Sequence, residues 1–314
     1  MMATAATFQD PMFHDEGKAR EALEAVRWPD GPICPHCGSS DPDKLAKVEG
    51  TKKSHRPGLY YCNDCKGQFT VTVGTVFERS KVPLTKWWMA AHMMNSGKNG
   101  VSAHEIHRAL GVTYKTAWFM MHRLREAMTD AKPGPMGTLG GSVQADETYH
   151  LNTSKRAKGY KKGLSQKASV LALVDENTGT VRTFHINKSM TAAKIAEILF
   201  TNVERKATLV TDESNLYKVL GKEFAAHQTM NHSGREYVNA GGFTTNNVEN
   251  FFGVFKRGMR GTYTFCGEQH LKRYLVEFEF RYNNRSGLGV TDGERTAIAL
   301  KGIEGKRLTY RSTH

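Results

Sequence analysis

Long apolar runs are missing from this sequence. No stretch approaches the roughly 18 consecutive apolar residues that a membrane-spanning helix needs, so we expect no transmembrane segment. The opening residues, MMATAATFQDPMF, contain no basic segment followed by an apolar one, which predicts that no signal peptide is present. We also find no internal repeat and no low-complexity segment. These absences argue against membrane-spanning, secreted and repeat proteins, and they favour a folded protein of the reducing cytoplasm.

Cysteine is scarce, and its placement is informative. Only five cysteines occur among 314 residues, and four of them form two CxxC pairs with 24 residues between the pairs. In a reducing compartment such pairs favour a metal over disulfides, and two CxxC turns supply the four thiolates of a tetrahedral zinc site. A redox pair or disulfides are the alternatives. Cys266 and His36 are expected to be ordinary structural residues. The predicted ligands of a structural Zn²⁺ are Cys34, Cys37, Cys62 and Cys65.

Acidic residues are outnumbered by basic ones. The chain has 44 Lys and Arg against 31 Asp and Glu, which gives a formal net charge of +13. Such an excess favours a polyanionic partner, because basic groups neutralise phosphates and release their counterions. A solvated basic surface without a specific role is the alternative.

The segment from Leu84 to Met128 has a helical pattern. Within it, Ser102 is placed to cap one helix, Gly111 to make a turn, and a second helix follows. This helix–turn–helix pattern also arises in plain helical bundles, but beside a zinc ribbon in a basic chain it favours DNA contact. The glycine- and proline-rich stretch 130–141 predicts a domain boundary. The predicted DNA contacts on the second helix are Lys115, Arg123 and Arg125.

Beyond this boundary, acids end two of the predicted strands. Asp146 lies in VQADET and Asp212 in LVTDES, and Glu249 begins the helical pattern NNVENFFGVFKRG. Carboxylates without His or Cys suit hard cations, so the trio is predicted to hold two Mg²⁺ or Mn²⁺ ions for phosphodiester chemistry. Taken singly, each acid could equally be a solvated carboxylate. Three other acids are expected to be ordinary solvated residues: Glu147, Asp175 and Glu213.

At these residues the sequence resembles a known family, the zinc-ribbon ISXO-like DDE transposases of bacterial insertion sequences, which are related to the eukaryotic Merlin elements. The resemblance implies a ribonuclease-H-like catalytic domain whose metal-binding triad falls on Asp146, Asp212 and Glu249. Some related branches have Asn as the third residue, and Asn250 is adjacent, but Glu249 aligns with the acid before the FF pair. The matching segments, which cover most of the chain, include RWPDGPICPHCGS, YYCNDCKGQFTVTVGTVFERSKVPLTKWW, DETY, VTDES, VNAGGFTTNNVENFFGVFKRGMRGTYT and HLKRYLVEFEFRYNNR.

Basic residues follow two of the three acids. The resemblance implies a role for Lys256, which lies seven helical residues, or about 10 Å, beyond Glu249 on the same face. With Arg257 it is predicted to contact a DNA phosphate, and a solvated lysine at a helix end is the alternative. After DETY this chain departs from its relatives, which commonly continue with glycines. Its basic run there predicts either a loop that grips the DNA backbone or a mobile solvated loop, and contains Lys155, Arg156, Lys158, Lys161 and Lys162.

The predicted fold class is multidomain α/β. Residues 1–80 are predicted to form an N-terminal helix and zinc ribbon, and residues 81–132 a helix–turn–helix-like DNA-binding segment. Residues 133–314 are predicted to form a ribonuclease-H-like mixed sheet with flanking helices and a C-terminal tail.

The predicted function is that of a DNA transposase. It would bind the terminal inverted repeats of an insertion sequence and catalyse two-metal-ion DNA cleavage and strand transfer. The predicted partners are double-stranded DNA, both element ends and target, and at least one further copy of the chain, in the bacterial cytoplasm at the nucleoid. One alternative is a domesticated, transposase-derived DNA-binding regulator without catalysis. The other is a ribonuclease-H-like nuclease that cleaves without strand transfer.

Overall fold

The computed structural model describes residues 7–48, 56–129, 134–151, 167–186, 190–230, 238 and 241–309, with the backbone alone for 150, 151 and 167. The α-helices are α1 (Glu16–Arg27), α2 (Leu84–Ser96), α3 (Ala103–Leu110), α4 (Tyr114–Ala127), α5 (Ala192–Asn202), α6 (Asn246–Gly258), α7 (Glu268–Asn283) and α8 (Asp292–Lys301). The strands are β1 (Leu45–Lys47), β2 (Tyr60–Cys62), β3 (Gln68–Phe69), β4 (Ser142–Leu151), β5 (Lys167–Asp175), β6 (Val181–Ile186), β7 (Thr208–Asp212) and β8 (Ala226–Met230). Within these described ranges, every helix is too short or too polar to span a bilayer.

The chain divides into two compact units. The first contains residues 1–129 and 285–314, and the second contains residues 130–284. The division after residue 129 lies close to the predicted boundary at 132. The structure differs from the prediction in two respects. The zinc-ribbon and helix–turn–helix segments share one unit, and residues 285–314, predicted to belong to the catalytic domain, pack with that N-terminal unit.

In the first unit, the C-terminal end of α1 contacts the small sheet of the zinc ribbon. The three strands are antiparallel in the order β1–β2–β3 and only two or three residues long. Trp28, which follows α1, lies edge-on to the rings of Tyr60 and Phe69, and these two rings stack on each other. Arg27 donates to two backbone carbonyl oxygens of the segment after β3, at 2.7 and 2.9 Å. Strands this short have little stability alone, so these contacts help to hold the ribbon.

The C-terminal tail joins the first unit through backbone pairing. Thr75, which follows the ribbon, and Glu304 form an antiparallel bridge. The carboxylate of Glu304 also accepts a hydrogen bond from Arg27 at 3.0 Å. The tail therefore belongs to the N-terminal unit because its bonding partners, Arg27 and Thr75, lie more than 200 positions earlier in the chain.

Helices α3 and α4 have the predicted helix–turn–helix shape. Ser102 and Glu105 form a reciprocal capping box at the start of α3. Gly111 ends α3 in the left-handed region, with a φ of 59°, where glycine carries no steric penalty. Thr113 caps α4 by accepting a hydrogen bond from the backbone N–H of Thr116 at 3.2 Å. The three residues between the helices thus form a tight turn.

The second unit is built on a five-stranded mixed sheet in the order β6–β5–β4–β7–β8. β5 is antiparallel to both of its neighbours, whereas β4, β7 and β8 are parallel to one another. Counted within this unit, the order is 3-2-1-4-5 with the second strand antiparallel to the rest. This is the ribonuclease-H-like topology, and the predicted fold class is confirmed.

Different helices cover the two faces of this sheet. On one face, apolar side chains of β4, β5 and β7 form a core with Ile195 and Leu199 of α5. On the other face, α6 contacts β4 and β5, and α7 contacts β6. Phe251, Phe252 and Phe255 of α6 are buried. The apolar side of α6 therefore faces inward, which leaves its polar side exposed.

Candidate active site and metal centre

Asp146 and Asp212 lie side by side on neighbouring parallel strands. In the ladder between β4 and β7, Ala145 is opposite Thr211, so the next residue of each strand occupies the same level. Adjacent strands are about 4.8 Å apart. Side chains alternate between faces, and Ala145 belongs to the core under α5. The Asp146 carboxylate therefore points to the opposite face of the sheet, the one that α6 covers.

Glu249 reaches the same region from helix α6. It lies in the first turn of the helix, is exposed, and accepts a hydrogen bond from the hydroxyl of Thr245 at 2.8 Å. The backbone N–H of the preceding residue, Val248, donates to Oε1 of Gln144 at 3.0 Å. Gln144 lies on β4 two residues before Asp146, so the third acid is held above the strand that carries the first.

Burial and the neighbouring acids both disfavour the ionised form of Asp146. Burial first, and then the negative charges of Glu147, Asp212 and Glu249, raise the pKa of Asp146 to about 7. The backbone N–H of Glu147, which donates to Oδ1 of Asp146 at 2.8 Å, acts in the opposite direction. A bound divalent cation would offset this repulsion and favour the ionised carboxylates.

The donor set of this site suits two hard cations. All three predicted ligands are carboxylates, which Mg²⁺ and Mn²⁺ prefer. Within the described ranges, the four cysteines are the only group of three or more potential ligands close enough together to surround a single ion. Two ions about 4 Å apart need ligands distributed around both of them rather than around one point. The chemistry of the three acids fits such a pair of ions.

Two acids predicted to be solvated instead accept hydrogen bonds from groups in the interior. Glu147 accepts a hydrogen bond at 2.5 Å from the hydroxyl of Tyr217, which is itself fully buried. Asp175 is 3% exposed and accepts from the backbone N–H groups of Gly137 and Asn177 at 2.7 and 2.9 Å. Both carboxylates therefore stabilise the fold through these hydrogen bonds, and the expectation that they are solvated is wrong. Glu213 is exposed, as expected.

The basic residues predicted on α6 are at its surface. Lys256 and Arg257 lie in the last turn of the helix, and both are exposed. The Nζ of Lys256 is 5.8 Å from the centre of the Phe252 ring, one turn earlier. Their contact with DNA stays a prediction.

The three basic residues of α4 predicted to contact DNA differ in their exposure to solvent. Lys115 is exposed in the first turn, and its contact with DNA stays a prediction. Arg123 is half-buried and donates to the carbonyl oxygens of Leu308 and Glu78 at 3.2 and 3.4 Å. Arg125 is only 1% exposed, so the prediction that it contacts DNA is wrong. Its guanidinium is part of the packing of the first unit.

The five basic residues predicted for the loop after β4 lie outside the described residues. They are Lys155, Arg156, Lys158, Lys161 and Lys162. Their contact with the DNA backbone stays a prediction.

In the first unit, the two CxxC turns form a metal-binding cluster. The sulfur of Cys34 is 3.7 Å from that of Cys65, and the sulfur of Cys37 is 3.7 Å from that of Cys62. A tetrahedral Zn²⁺ with Zn–S bonds of about 2.3 Å separates its sulfurs by about 3.8 Å, so these two pairs have the required spacing. All four sulfurs lie within 4.8 Å of one another. His36 is turned toward the carbonyl oxygen of Gln68, 3.3 Å from Nε2. The cluster thus fits a four-thiolate zinc site without a histidine ligand.

The first CxxC turn favours a thiolate at Cys34 but not at Cys37. At Cys37 the backbone N–H of Ser39 is outweighed by burial and by the neighbouring cysteine sulfurs, which raise the pKa to about 12. Burial raises the pKa of Cys34, but the backbone N–H groups of Cys37 and His36 outweigh it and lower that pKa to about 7. A lowered pKa makes the thiolate, which is the metal-binding form, available near neutral pH.

Comparison with known proteins agrees with both units. Residues 138–283 match the ISXO2-like transposase domain, and residues 14–68 match the transposase zinc-ribbon domain. A curated relative is the uncharacterized protein in transposable element ISH50 of Halobacterium salinarum. It is 26% identical over an alignment of 283 residues, and the match covers 86% of this chain and 91% of the relative.

Two solved structures resemble parts of the chain. One is a chain of the simian T-cell lymphotropic virus intasome in complex with PP2A regulatory subunit B56 gamma, with 15% identity and a TM-score of 0.30; the match covers 55% of this chain and 63% of that one. The other is the HTLV-2 integrase catalytic core domain in complex with magnesium, with 12% identity and a TM-score of 0.26, covering 46% of this chain and 86% of that one. The chain thus contains an ISXO2-like transposase domain at residues 138–283 and a transposase zinc-ribbon domain at residues 14–68.

Proposed function

We propose that this protein is an active DNA transposase that cleaves and joins DNA at the ends of an insertion sequence. The observation that carries the proposal is the meeting of three acids on one face of the ribonuclease-H-like sheet. Asp146 and Asp212 occupy one level on adjacent parallel strands, and Glu249 stands above them on a helix tied to β4. The match of residues 138–283 to a transposase domain supports the same function.

The three acids would hold two Mg²⁺ or Mn²⁺ ions. When bound, such ions supply activation of a water or a 3′-hydroxyl and stabilisation of the leaving oxygen. Asp146 and Asp212 hold their carboxylates on the rigid sheet, whereas Glu249 is supplied by α6. No side chain of the protein is needed as a nucleophile, so we expect in-line attack without a covalent protein–DNA intermediate.

The exposed side of α6 would form a track for the DNA backbone. Polar or small residues follow one another along this side, from the acid to the basic end of the helix and just beyond it. Lys256 and Arg257 would contact a phosphate about 10 Å beyond Glu249. The members of the track are Glu249, Asn250, Gly253, Lys256, Arg257 and Arg260.

Gly253 lies in the middle of this track without a packing reason for glycine. A Cβ there would meet only Nη1 of Arg257, at an ordinary 3.7 Å. A glycine in a helix interior costs about 0.5–1 kcal/mol relative to alanine. Its advantage would be close approach of the DNA backbone.

We therefore expect substitution at Gly253 to have opposite effects on stability and on activity. Gly253→Ala should raise stability by about 0.5–1 kcal/mol, measured by denaturant unfolding. Gly253→Leu should lower DNA cleavage by about 10²-fold, since displacement of the substrate by about 1 Å has an effect of that size. Ala193→Leu, which adds bulk to the exposed side of α5, is the control and should retain activity. Full activity of Gly253→Leu would show that the track does not contact DNA.

The first unit would recognise the terminal repeats through the zinc ribbon and the helix–turn–helix. The exposed Lys115 and the buried Arg125 of α4 make a matched pair for testing this role. Lys115→Ala should weaken end binding and reduce the slope of log K against log salt by about 1, because one phosphate contact is lost. Arg125→Ala should lower the melting temperature and leave that slope unchanged. Fluorescence anisotropy at several salt concentrations, with thermal unfolding, measures both. Equal salt slopes for Lys115→Ala and wild type would remove Lys115 from the interface.

Cleavage at both ends of an element requires more than one active site. We therefore expect at least a dimer on paired element ends. Light scattering of the protein with and without end DNA would measure this.

Metal-dependent cleavage tests the proposed function. Wild-type protein is incubated with labelled DNA that carries the element's own ends, in Mg²⁺ or in EDTA, and the products are separated by length. We expect cleavage at the element end with Mg²⁺ only. Specific end binding without cleavage in any divalent metal would contradict catalysis and leave the DNA-binding regulator. A supercoiled target added to the same reaction distinguishes the transposase, which joins the cleaved end to the target, from the nuclease, which does not.

A further inference from the structure

Gln144 is a polar side chain in the interior of the second unit. It lies on β4, two residues before Asp146, and is 0% exposed. A buried amide must be hydrogen-bonded to be tolerated, so its partners indicate what it does. Its Nε2 donates to Oε1 of Glu176 at 2.5 Å, and its Oε1 accepts from the backbone N–H of Val248 at 3.0 Å.

The bond to Val248 provides a hydrogen-bond acceptor for the first turn of α6. The first N–H groups of a helix lack partners within the helix, and the side chain of the N-cap residue usually accepts one from the second or third position. Here the N-cap residue is Thr245, whose hydroxyl makes no capping bond and donates instead to the Glu249 carboxylate. Val248 is the third residue of α6. Gln144 therefore caps this helix from a strand more than 100 residues earlier.

The orientation of the Gln144 amide is fixed from its other end. Glu176 accepts from Nε2, and it also accepts a hydrogen bond from the hydroxyl of Ser142 on the same strand. With Nε2 committed to a carboxylate, the carbonyl oxygen must face Val248. The acceptor is thus preorganised for the helix.

We propose that Gln144 is a positioning residue that sets the distance between the first and third acids of the metal site. One amide group connects β4, two residues from Asp146, with the residue adjacent to Glu249. Loss of this bond would release the first turn of α6, and the third carboxylate would then sample positions outside the reach of the metals. The inference rests on the proposed function, because it assigns Glu249 to that site.

Gln144→Met and an exchange variant test this role. Methionine has a similar length but cannot accept the N–H of Val248. In the double variant Gln144→Glu with Glu176→Gln, donor and acceptor exchange places while the net charge is kept, so the N–H of Val248 again has an acceptor. Leu199→Ala, in the core on the opposite face of the sheet, provides a destabilised control, because large-to-small core substitutions reduce stability without touching the metal site.

The two readouts are hydrogen exchange at the Val248 amide and Mn²⁺ affinity of the zinc-loaded protein, measured by electron paramagnetic resonance. Gln144→Met should lose protection at Val248 and bind Mn²⁺ at least tenfold more weakly than wild type. The exchange variant should recover the protection and most of the affinity. Leu199→Ala should keep wild-type affinity. Equal losses in Gln144→Met and Leu199→Ala, or unchanged Val248 protection in Gln144→Met, would overturn the inference.

These readouts do not depend on DNA cleavage. A wild-type protein that binds Mn²⁺ through the acids, with Gln144→Met weakened, supports the positioning role even if no strand transfer is found. A wild-type protein without Mn²⁺ binding at the acids overturns both the proposed metal site and the positioning role within it.

Discussion

Asp146→Asn, Asp212→Asn and Glu249→Gln are each expected to reduce Mg²⁺-dependent DNA cleavage by at least about 10³-fold. Each substitution keeps the shape of the side chain and removes its negative charge. Two-metal catalysis stabilises the transition state by several kcal/mol, and about 4 kcal/mol corresponds to about 10³ in rate. The measurement is single-turnover cleavage of labelled element ends at saturating protein.

The folding and DNA binding of these variants should be retained, because each substitution keeps the size of the side chain and none of the three acids is fully buried. Glu213→Gln is the matched control. It makes the same chemical change one residue after Asp212, at an exposed position, and should cleave like wild type. Near-wild-type cleavage by any of the three triad variants would remove that residue from the site.

Removal of zinc is expected to unfold the ribbon. Its strands contain only two or three residues each, and too little apolar surface lies within them for independent stability. Structural zinc contributes an apparent free energy of about 10–16 kcal/mol to the folding of small zinc domains. Cys62→Ser, at a fully buried ligand, or treatment with a strong chelator should therefore abolish both zinc binding and specific recognition of the element ends.

Metal analysis, thermal unfolding and end binding measure this effect. Cys266→Ser is the control, because Cys266 is the one cysteine of the sequence outside the CxxC pairs. It should retain one zinc per chain. A Cys62→Ser protein that keeps stoichiometric zinc and wild-type end binding would contradict the assignment.

Local patterns were sufficient for the features that depend on neighbouring residues. The CxxC spacing predicts the cysteine cluster, since each turn brings two sulfurs together by itself. The capping sequence before α3 and the glycine after it predict the helix–turn–helix shape. Asp146 and Asp212 could be predicted as neighbours once the resemblance implied a ribonuclease-H-like sheet, in which their strands are adjacent and parallel. The prediction that both end their strands is right for Asp212 and wrong for Asp146, because β4 continues to Leu151 through its pairing with β5.

At Arg125, charge and helical periodicity give opposite predictions. Its positive charge on a basic helix favours DNA contact, but the helix period gives the opposite answer. Ala117 and Met121 precede it at intervals of four residues, and both are buried. Arg125 continues that inward stripe, so helical periodicity was the signal that could have found its burial.

Other features depend on contacts that no local pattern carries. Gln144 caps a helix through a residue 104 positions later, and Tyr217 donates a hydrogen bond to Glu147, which lies 70 positions earlier. The tail after residue 285 returns to the N-terminal unit because its pairing partners are there. These partners become visible only when the strands and helices are assembled.

The most direct test of the proposed transposase activity is strand transfer in vitro. Purified wild-type protein is mixed with labelled DNA carrying the element's own ends, a supercoiled target and Mg²⁺, and the joined product is quantified beside Asp212→Asn and an EDTA control. The proposed function predicts joined product with wild type and Mg²⁺ only. Equal joining by Asp212→Asn, or no joining by a folded wild-type protein that binds the ends tightly, would contradict it.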